Sequence, residues 1–365
     1  MKPCLLLTTD FPPRHGGVAY YLDHLMRYFK EDVVVIAPFE SGDWKHDQSV
    51  NYKIERTSLY YRFFWPHWFR SLFLLIRKRS LYDIVVISHI LPLGTAAWIA
   101  YTFTRKPYIL ILHGFDFSLA TRSIWRSWLT RHILRNAKLV VTNSQFLLCE
   151  VQSHSVIKQG IVIYPSLPLK TIPTHSFLGK NTSIIHLLTI SRLVRRKGHR
   201  RVLEALSLLK KQGKGDRLFY TIAGEGPERP FLEQWVKDFD LETCVRIISL
   251  ANDQEKDHCY QQTDLFVMPT IVDPVDREGF GIVYLEAAQF GIPSIGTRQP
   301  GVDEAIVDGQ TGLLVEDGNI SALAQAIYLL AEDETRRKNL GQNAKKRVEK
   351  EFTPEEQYGK LKHFL

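Results

Sequence analysis

Short runs of apolar, often β-branched residues recur along the chain, separated by stretches with apolar residues at helical spacing. The runs in the first half lie at residues 4–8, 33–37, 84–88, 108–112, 139–142 and 161–163. Those in the second half lie at residues 184–190, 219–223, 245–248, 265–268 and 293–295. This alternation predicts parallel sheets joined by crossover helices, and therefore an α/β fold.

Both halves of the chain begin with the same succession of elements. In the first half, the glycine loop FPPRHGG at residues 11–17 lies between the first predicted strand and a predicted helix at residues 18–29. In the second half, the loop SRLVRRKGH at residues 191–199 lies between the first strand and a helix predicted at residues 201–211. Each half is therefore expected to form a Rossmann-like domain, in which ligands bind at the carboxyl ends of the strands.

A proline-rich segment predicts the domain boundary. Residues 165–181, PSLPLKTIPTHSFLGKN, contain three prolines and show no sustained periodicity. The length of 365 residues also exceeds what one hydrophobic core usually organises. We therefore expect an N-terminal domain over residues 1–170 and a C-terminal domain over residues 171–350. A last helical segment, residues 351–365, is expected to pack back on the N-terminal domain.

The positive charge is concentrated in the first half of the chain. Residues 1–180 contain 22 Lys and Arg residues against 11 Asp and Glu residues, whereas residues 181–365 contain 25 against 28. A basic surface of this kind favours a nucleic acid or an anionic membrane as partner. No recognised nucleic-acid module accompanies the charge, so nucleic-acid binding is not expected.

Two stretches of the first half combine aromatic, leucine and basic residues. They are LYYRFFWPHWFRSLFLLIRKR, residues 59–79, and RSIWRSWLTRHILRNAK, residues 122–138. Charged residues and a proline interrupt the first stretch, so it is not expected to span a bilayer. Both are expected to form helices. One alternative is that their apolar faces only cover the sheet; their aromatic and basic residues favour the other, that the helices also lie on an anionic membrane surface.

The other bulk features favour a globular protein of the cytoplasm. Near the N-terminus the apolar run covers only residues 5–7, which is too short for a signal-peptide core. The cysteines, at positions 4, 149, 244 and 259, lack the spacing of a zinc site or a redox dithiol. We therefore expect reduced thiols and a cytoplasmic location.

The clearest chemical signal lies in DREGFGIVYLEA, residues 276–287. Seven residues separate Glu278 from Glu286, and the turn Gly279-Phe280-Gly281 begins a predicted helix. The free backbone N–H groups of such a helix start suit a phosphate or a polyhydroxyl ligand. A carboxylate at Glu286 matches the two vicinal hydroxyls of a ribose. The alternative is that Glu278 caps the helix and Glu286 is a solvated surface residue.

A second chemical signal is the basic loop after the first strand of the second half. It contains Arg192 and Lys197, with Arg195, Arg196 and Gly198 beside them. Cations at the mouth of a strand suit a diphosphate. A solvated basic loop without a ligand is the alternative.

Together these segments resemble the family 4 glycosyltransferases, which are retaining enzymes of the GT-B fold. Further matches in the same order are FPPRHGG, HGFD at residues 113–116, IAGEGP at 222–227, TDLFVMPT at 263–270 and PGVDEAIVDGQTGLLVEDG at 300–318. The resemblance implies two Rossmann-like domains with parallel sheets facing an interdomain cleft. It also implies a hexosyltransferase that uses a nucleotide-sugar donor.

The resemblance assigns roles residue by residue. It implies catalytic roles for His113, Arg192, Lys197 and Glu278. The base-binding part departs from the family, since Ile247-Ile248-Ser249 replaces a common Phe-Leu-Gly, and Asp253 and Lys256 are further candidates for base contacts. The donor is expected to bind Gly16, Gly17, Arg192, Lys197, Ala251, Glu278, Gly279, Phe280, Gly281 and Glu286.

The expected reaction needs no metal and no protein nucleophile. The one Asp-x-Asp pattern, residues 238–240, is expected to be a solvated helix end. The GIVYLEA segment is similar to mannosyltransferases that use GDP-mannose on phosphatidylinositol lipids, which favours GDP-mannose over a UDP-sugar as donor. The acceptor is expected to be lipid-linked or a glycan, in cell-envelope or polysaccharide biosynthesis at the inner face of the cell membrane.

Other activities remain open at the level of the sequence. A non-catalytic GT-B relative could bind a nucleotide sugar or act as a scaffold for a membrane complex. Sugar phosphorolysis and nucleotide-sugar epimerisation are alternatives within enzymes.

Overall fold

The computed structural model describes residues 3–14, 16–170, 183–273 and 278–365. The chain divides into two compact units, one of Met1–Ser166 with Pro354–Leu365 and one of Leu167–Thr353. Of the linker predicted at residues 165–181, residues 171–181 lie outside the described part of the chain.

The first unit is built on a parallel sheet. Its described strands are β1 (Cys4–Leu7), β2 (Val33–Ala37), β3 (Lys53–Arg56), β4 (Val85–Ser88), β5 (Tyr108–Leu112), β6 (Leu139–Thr142) and β7 (Gly160–Val162). They pair in the order β3-β2-β1-β4-β5-β6-β7. The six predicted strands are confirmed to within one residue. Strand β3 was not predicted because KIER contains no apolar run, as suits a partly exposed strand at the sheet edge.

Helices cover both faces of this sheet. All residues of β4, β5 and β6 are buried, as expected for central parallel strands between two helical layers. The helices are α1 (Gly17–Phe29), α2 (Asp43–Gln48), α3 (Phe69–Arg77), α4 (Thr95–Thr104), α5 (Phe115–Thr121), α6 (Ile124–Asn136) and α7 (Gln145–His154).

The two aromatic and basic stretches differ in structure. The second stretch, residues 122–138, contains α6, as predicted. For the first stretch, residues 59–79, the prediction of a helix is wrong before Phe69, where α3 begins. Pro66 has no N–H to donate and disfavours helical geometry in the residue before it. Among the described residues, no helix is both long enough and apolar enough to cross a membrane.

The second unit contains a second parallel sheet. Its described strands are β8 (Ile185–Ile190), β9 (Leu218–Ala223), β10 (Val245–Ile248), β11 (Leu265–Met268), β12 (Ser294–Thr297) and β13 (Gly312–Val315). They pair in the order β10-β9-β8-β11-β12-β13. Five strands were predicted to within two residues. Strand β13, whose apolar run is three residues long, was not predicted.

The helices of the second unit complete an α/β arrangement like that of the first. They are α8 (His199–Lys211), α9 (Arg229–Asp238), α10 (Asp253–Gln261), α11 (Ile282–Gln289), α12 (Val302–Ala305), α13 (Ile320–Glu332) and α14 (Glu334–Glu351). The order of strands reverses between β8 and β11 here, and between β1 and β4 in the first unit. Such switch points are where open α/β sheets bind ligands.

The C-terminal segment belongs to the first unit. It contains the short helix α15 (Pro354–Tyr358). Tyr358 is fully buried and meets the rings of Tyr21 and Tyr28 edge to face, each with centroids 6.0 Å apart. The side chain of Gln357 accepts a hydrogen bond of 3.0 Å from the backbone N–H of Tyr164. Burial of aromatic surface and this hydrogen bond attach the chain end to α1 and the segment after β7.

Candidate active site

Glycines allow the loop after β8 to approach the residues after β11. Gly198 has a φ of 75°, and a Cβ atom there would lie 2.0 Å from the carbonyl oxygen of Pro269. Gly224 permits an equally close approach, since its Cβ would lie 2.0 Å from the carbonyl oxygen of Ser191. Any other residue would collide with backbone at both positions. The glycines thus place residues 191–198 at the switch point of the second sheet.

A buried carboxylate and two cations meet at this point. The Glu278 carboxylate lies 2.5 Å from the Lys197 ammonium and 2.7 Å from the guanidinium of Arg196. The side chains of Glu278 and Lys197 are only 12% and 11% exposed. Burial would raise the pKa of Glu278, but the charges of Lys197 and Arg196 lower it to about 2. Glu278 is therefore ionised at neutral pH and can only accept hydrogen bonds.

Arg192 lies in the same loop but outside this cluster. Its residue is exposed. Within the described ranges, no side chain forms a hydrogen bond or an ion pair with its guanidinium. The structure thus brings Lys197 and Glu278 together. The second cation beside Glu278 is Arg196, whereas the sequence predicted Arg192 beside Lys197.

The glycine-rich turn leads into α11. Gly281 precedes the helix with a φ of 86°, and a Cβ on Gly301 would lie 2.5 Å from the carbonyl oxygen of Gly279. The side chain of Phe280 is 2% exposed and packs against Phe352, with ring centroids 5.7 Å apart. Phe280 therefore anchors the turn in the core, and only its backbone is available to a ligand.

Glu286 is a partly buried, paired carboxylate. Its Oε1 atom lies 3.0 Å from the ammonium of Lys256, and its Oε2 atom accepts a 2.9 Å hydrogen bond from the hydroxyl of Tyr260. The side chain is 12% exposed. The alternative of a solvated surface glutamate is therefore wrong, and so is that of Glu278 as a simple helix cap, because both carboxylates bind cations of neighbouring elements.

Ala251 lies between β10 and α10. It is exposed, and its N–H donates to Glu255 over 2.9 Å. Asn252 accepts a 2.9 Å hydrogen bond from the N–H of Glu255, so the two side chains form a reciprocal cap at the start of α10. The N–H of Ala251 is thus used within this cap. Asp253 is exposed and lies 3.3 Å from the ammonium of Lys256.

A polar cluster lies at the switch point of the first sheet. The Oγ atom of Ser88, at the end of β4, donates a 2.6 Å hydrogen bond to Thr8, after β1. His89 has a φ of 79° and lies 3.0 Å from the carboxylate of Asp10. Burial would lower the pKa of His89, but the hydrogen bond to Asp10 and the charge of Asp116 raise it. His89 thus combines a left-handed backbone, which residues other than glycine rarely adopt, with a hydrogen bond to a carboxylate.

His113 follows β5 and lies beside this cluster. Its ring centroid is 6.0 Å from that of His89 and 5.5 Å from that of Tyr21. Its backbone N–H donates to Asp116 over 2.9 Å. Its Nε2 atom is buried without a hydrogen-bond partner among the described residues. Burial lowers the pKa of His113 to about 4, so the ring is neutral at pH 7 with an unused polar atom.

Gly16 and Gly17 form the start of α1. Both are exposed, and the carbonyl oxygen of Gly16 accepts a 3.0 Å hydrogen bond from the N–H of Tyr20. No described atom comes within 4 Å of the place that a Cβ on Gly16 would occupy. The backbone at this helix start is therefore open to a ligand.

The Asp-x-Asp pattern lies at the end of a helix of the second unit and not in the loops after β8 and β11. Asp238 ends α9, and both it and Asp240 are exposed. In the described part of the chain, no group of three or more His, Cys, Asp or Glu residues is arranged to hold a metal ion.

Comparison with known families covers most of the chain. A family model described as Glycosyltransferase Family 4 matches residues 15–169, and one described as glycosyl transferases group 1 matches residues 174–347. The chain belongs to the family 4 glycosyltransferases. It is therefore a transferase that uses a nucleotide-sugar donor.

Two relatives of this glycosyltransferase match it over nearly their whole length. It is 27% identical to a GDP-mannose-dependent monoacylated alpha-(1-6)-phosphatidylinositol monomannoside mannosyltransferase of Corynebacterium glutamicum, covering 96% of this chain and 94% of the relative. It is 26% identical to a GDP-mannose-dependent alpha-(1-6)-phosphatidylinositol monomannoside mannosyltransferase of Mycolicibacterium smegmatis, covering 92% and 91%.

Solved structures confirm the fold of the glycosyltransferase. The Anabaena protein HepE, solved in complex with UDP and glucose, matches with a TM-score of 0.82 at 19% identity, covering 100% of this chain and 99% of that one. The two parallel sheets and this match establish the GT-B fold that the resemblance implied.

Several polar residues of the glycosyltransferase's candidate site were not identified from its sequence. Asp10 and His89 could have been found, since each follows a predicted strand at the carboxyl edge of the sheet. Tyr260 could not have been found, because its contact with Glu286 joins two helices that no local pattern links. The sequence gives no signal for the burial of His199, whose ring lies 3.0 Å from the Oγ atom of Ser191 and whose pKa burial lowers to about 4.

Proposed function

We propose that this glycosyltransferase transfers a hexose, with mannose favoured, to a lipid-linked or glycan acceptor in cell-envelope or polysaccharide biosynthesis. The two mannosyltransferase relatives, each named as dependent on GDP-mannose, support mannose as the sugar. The complex of HepE with UDP and glucose makes a UDP-sugar the second candidate donor. We also propose that the sugar keeps its anomeric configuration.

The cluster of Glu278 with Lys197 and Arg196 is the observation that carries this proposal. An ionised, buried carboxylate beside cations at the start of α11 suits a donor that combines sugar hydroxyls with a diphosphate. In the proposed complex Glu278 accepts from the sugar, while Lys197 and the exposed Arg192 bind the diphosphate. These cations stabilise the charge that develops on the leaving diphosphate, an effect that is often the largest in catalysis.

The proposed reaction proceeds without a protein nucleophile. The acceptor oxygen forms a bond to the anomeric carbon on the same face from which the diphosphate leaves. The proton of the acceptor hydroxyl passes to the leaving diphosphate oxygen. His113 is neutral at pH 7, so its unused Nε2 atom can share a hydrogen bond with a sugar hydroxyl. Gly16 and Gly17 offer open backbone to the donor phosphates.

We propose that the reaction needs no metal ion. Lys197, Arg192 and the positive end of the α11 dipole supply the positive charge that a divalent cation supplies elsewhere. Turnover that is retained in EDTA is the expected result.

We further propose that the enzyme lies peripherally on the anionic inner face of the cell membrane, from the cytoplasm. Phe63, Trp65, Ile124 and Trp125 are between 71% and 92% exposed. Trp65 and Trp125 line one apolar groove of the first unit. Exposed aromatics beside basic residues favour insertion at a lipid headgroup boundary, which suits a lipid-linked acceptor.

The donor class is tested by thermal unfolding without metal. GDP, UDP, ADP and their common sugar conjugates are added to the wild type and to Glu286→Ala. A ligand of the native state at a hundred times its dissociation constant adds about 2.7 kcal/mol of stability. We expect one nucleotide family to stabilise the wild type and to stabilise the variant much less. Equal stabilisation of both proteins would exclude Glu286 from the donor site.

A further inference from the structure

Two residues of one helix occupy both oxygens of the Glu286 carboxylate. Lys256 lies 3.0 Å from Oε1, and the hydroxyl of Tyr260 lies 2.9 Å from Oε2. Lys256 and Tyr260 are four residues apart on α10, so they project from the same face. The carboxylate, which lies on α11, is therefore fixed at two points by a neighbouring helix.

The burial of these partners makes the arrangement rigid. Tyr260 is 1% exposed, and its ring stacks on Phe290 with centroids 5.3 Å apart and an angle of 20° between the planes. The side chain of Lys256 is 18% exposed. Burial would lower the pKa of Lys256, but the charges of Glu286 and Asp253 raise it, so the ammonium stays charged.

The remaining hydrogen-bonding capacity of Glu286 fits a vicinal diol. Each carboxylate oxygen has two lone pairs, and one on each oxygen accepts from α10. One lone pair on each oxygen is left, and two adjacent hydroxyl groups can donate to them.

We infer that Lys256 and Tyr260 are positioning residues that orient Glu286 toward the 2′ and 3′ hydroxyls of the donor ribose. This inference rests on the proposed function, because it takes the ligand to be a nucleoside diphosphate sugar. Lys256 is in this account a partner of Glu286, and it does not bind the nucleobase or the phosphates.

The role is tested by titration calorimetry with GDP and UDP and with their 2′,3′-dideoxy analogues, which lack the diol. The variants are Lys256→Met and Tyr260→Phe, which each remove one contact to Glu286 and keep the apolar part of the side chain. The matched control is Lys170→Met, which removes an ion pair of 2.5 Å with Asp257 on the same helix. Thermal unfolding checks that each variant is folded.

Each variant is expected to weaken binding of the preferred ribonucleotide by about 3- to 10-fold, the usual effect of one hydrogen bond. Binding of the dideoxy analogue should be equally weak for the wild type and both variants. The control should match the wild type with both ligands. Lys256→Arg, which keeps the charge, should recover part of the lost affinity.

Two results would overturn the inference in different ways. If a variant weakens the ribonucleotide and its dideoxy analogue by the same factor, then its residue acts on the base or the phosphates, or on the fold, and the positioning role is wrong. If the wild type binds neither GDP nor UDP, then the proposed function fails, and the role of Lys256 fails with it.

Discussion

Two partly buried carboxylates of the second unit form ion pairs with cations that come from other elements. Glu278 precedes α11 but pairs with Arg196 and Lys197, while Glu286 pairs with Lys256 on α10. A buried ion pair contributes little net stability, whereas removal of one partner leaves an uncompensated charge at high cost. Each pair therefore fixes the position of a charged group, and loss of one partner is expected to destabilise the fold.

Replacement of Glu278 by glutamine should change the pH dependence of stability. The pKa of Glu278 is about 2 in the folded protein against an ordinary 4.5, so its stabilising contribution is present above pH 4.5 and is lost as the pH falls toward 2. We expect Glu278→Gln to lower the free energy of unfolding by about 3 kcal/mol at pH 7. The difference from the wild type should shrink between pH 4.5 and 2.

Urea unfolding of both proteins at several pH values measures this effect. Glu334→Gln is the control, since Glu334 forms an exposed pair with Lys338 and should leave the free energy of unfolding nearly unchanged. The contrary result is that the free energies of unfolding of the wild type and Glu278→Gln differ by the same amount from pH 7 to pH 3. That result would show that the neighbours of Glu278 do not stabilise its charge.

At the level of single residues, the sequence indicated members of the candidate site better than it indicated their partners. Glu278 and Lys197 were predicted for one site, and the structure joins them. The pair of Lys256 with Glu286 could not be predicted, because 30 residues separate the two in sequence and no local pattern links α10 to α11. The buried Nε2 atom of His113 likewise depends on packing that no local pattern contains.

At the level of elements, glycines set how closely the two loops of a switch point approach. The loop after β8 contacts the residue after β11 through Gly198, which has both a positive φ and a backbone oxygen at 2.0 Å from its Cβ position. The cations of that loop depend on this contact for their position beside Glu278.

Gly198→Ala should destabilise the second unit and weaken nucleotide binding. Left-handed backbone and the collision with Pro269 together should cost about 2–5 kcal/mol. Gly213→Ala, at the other end of α8, is the matched control, because Gly213 has a φ of 69° but no atom within 4 Å of its Cβ position. It should cost only about 1–2 kcal/mol. Equal losses for the two variants in urea unfolding would contradict the packing argument.

The elements themselves followed from the sequence wherever apolar runs were four or more residues long. The fully buried strands β5, β6 and β11 were predicted with correct ends, because strands covered on both faces are apolar throughout. Of the four edge strands, β7 and β10 were predicted, whereas β3, which contains no apolar run, and β13, whose apolar run is three residues long, were missed. The segment before α3 was misjudged because composition alone does not distinguish an aromatic loop from a helix.

At the level of the whole molecule, the excess positive charge and most of the exposed large aromatic side chains of the described residues lie in the first half of the chain. Residues 1–180 have a net charge of +11, and the exposed tryptophans Trp65 and Trp125 line one groove of the first unit. This combination favours adsorption to an anionic bilayer, where Coulomb attraction and aromatic insertion act together.

The enzyme should therefore co-sediment with vesicles that contain phosphatidylserine at low ionic strength. Binding should fall as salt rises, because the attraction between exposed charges is screened. Trp65→Ala with Trp125→Ala should lower it at every salt concentration, whereas Trp44→Ala, another exposed tryptophan of the first unit, should not. Equal vesicle binding by the wild type, the double variant and Trp44→Ala would show that the aromatic groove does not contact the membrane.

The most direct test of the account is the rate of nucleoside diphosphate release from GDP-mannose and UDP-glucose in EDTA, with a lipid extract as acceptor. The wild type is compared with the double variant Arg192→Ala, Lys197→Ala. The control is Arg195→Ala, Arg200→Ala, which removes two exposed cations from the same region. We predict release by the wild type and the control without metal, and a loss on the order of a hundredfold or more for the first variant. Near-wild-type release by the Arg192→Ala, Lys197→Ala variant would contradict the proposed role of these cations. A wild type that requires a metal would contradict metal-independent transfer.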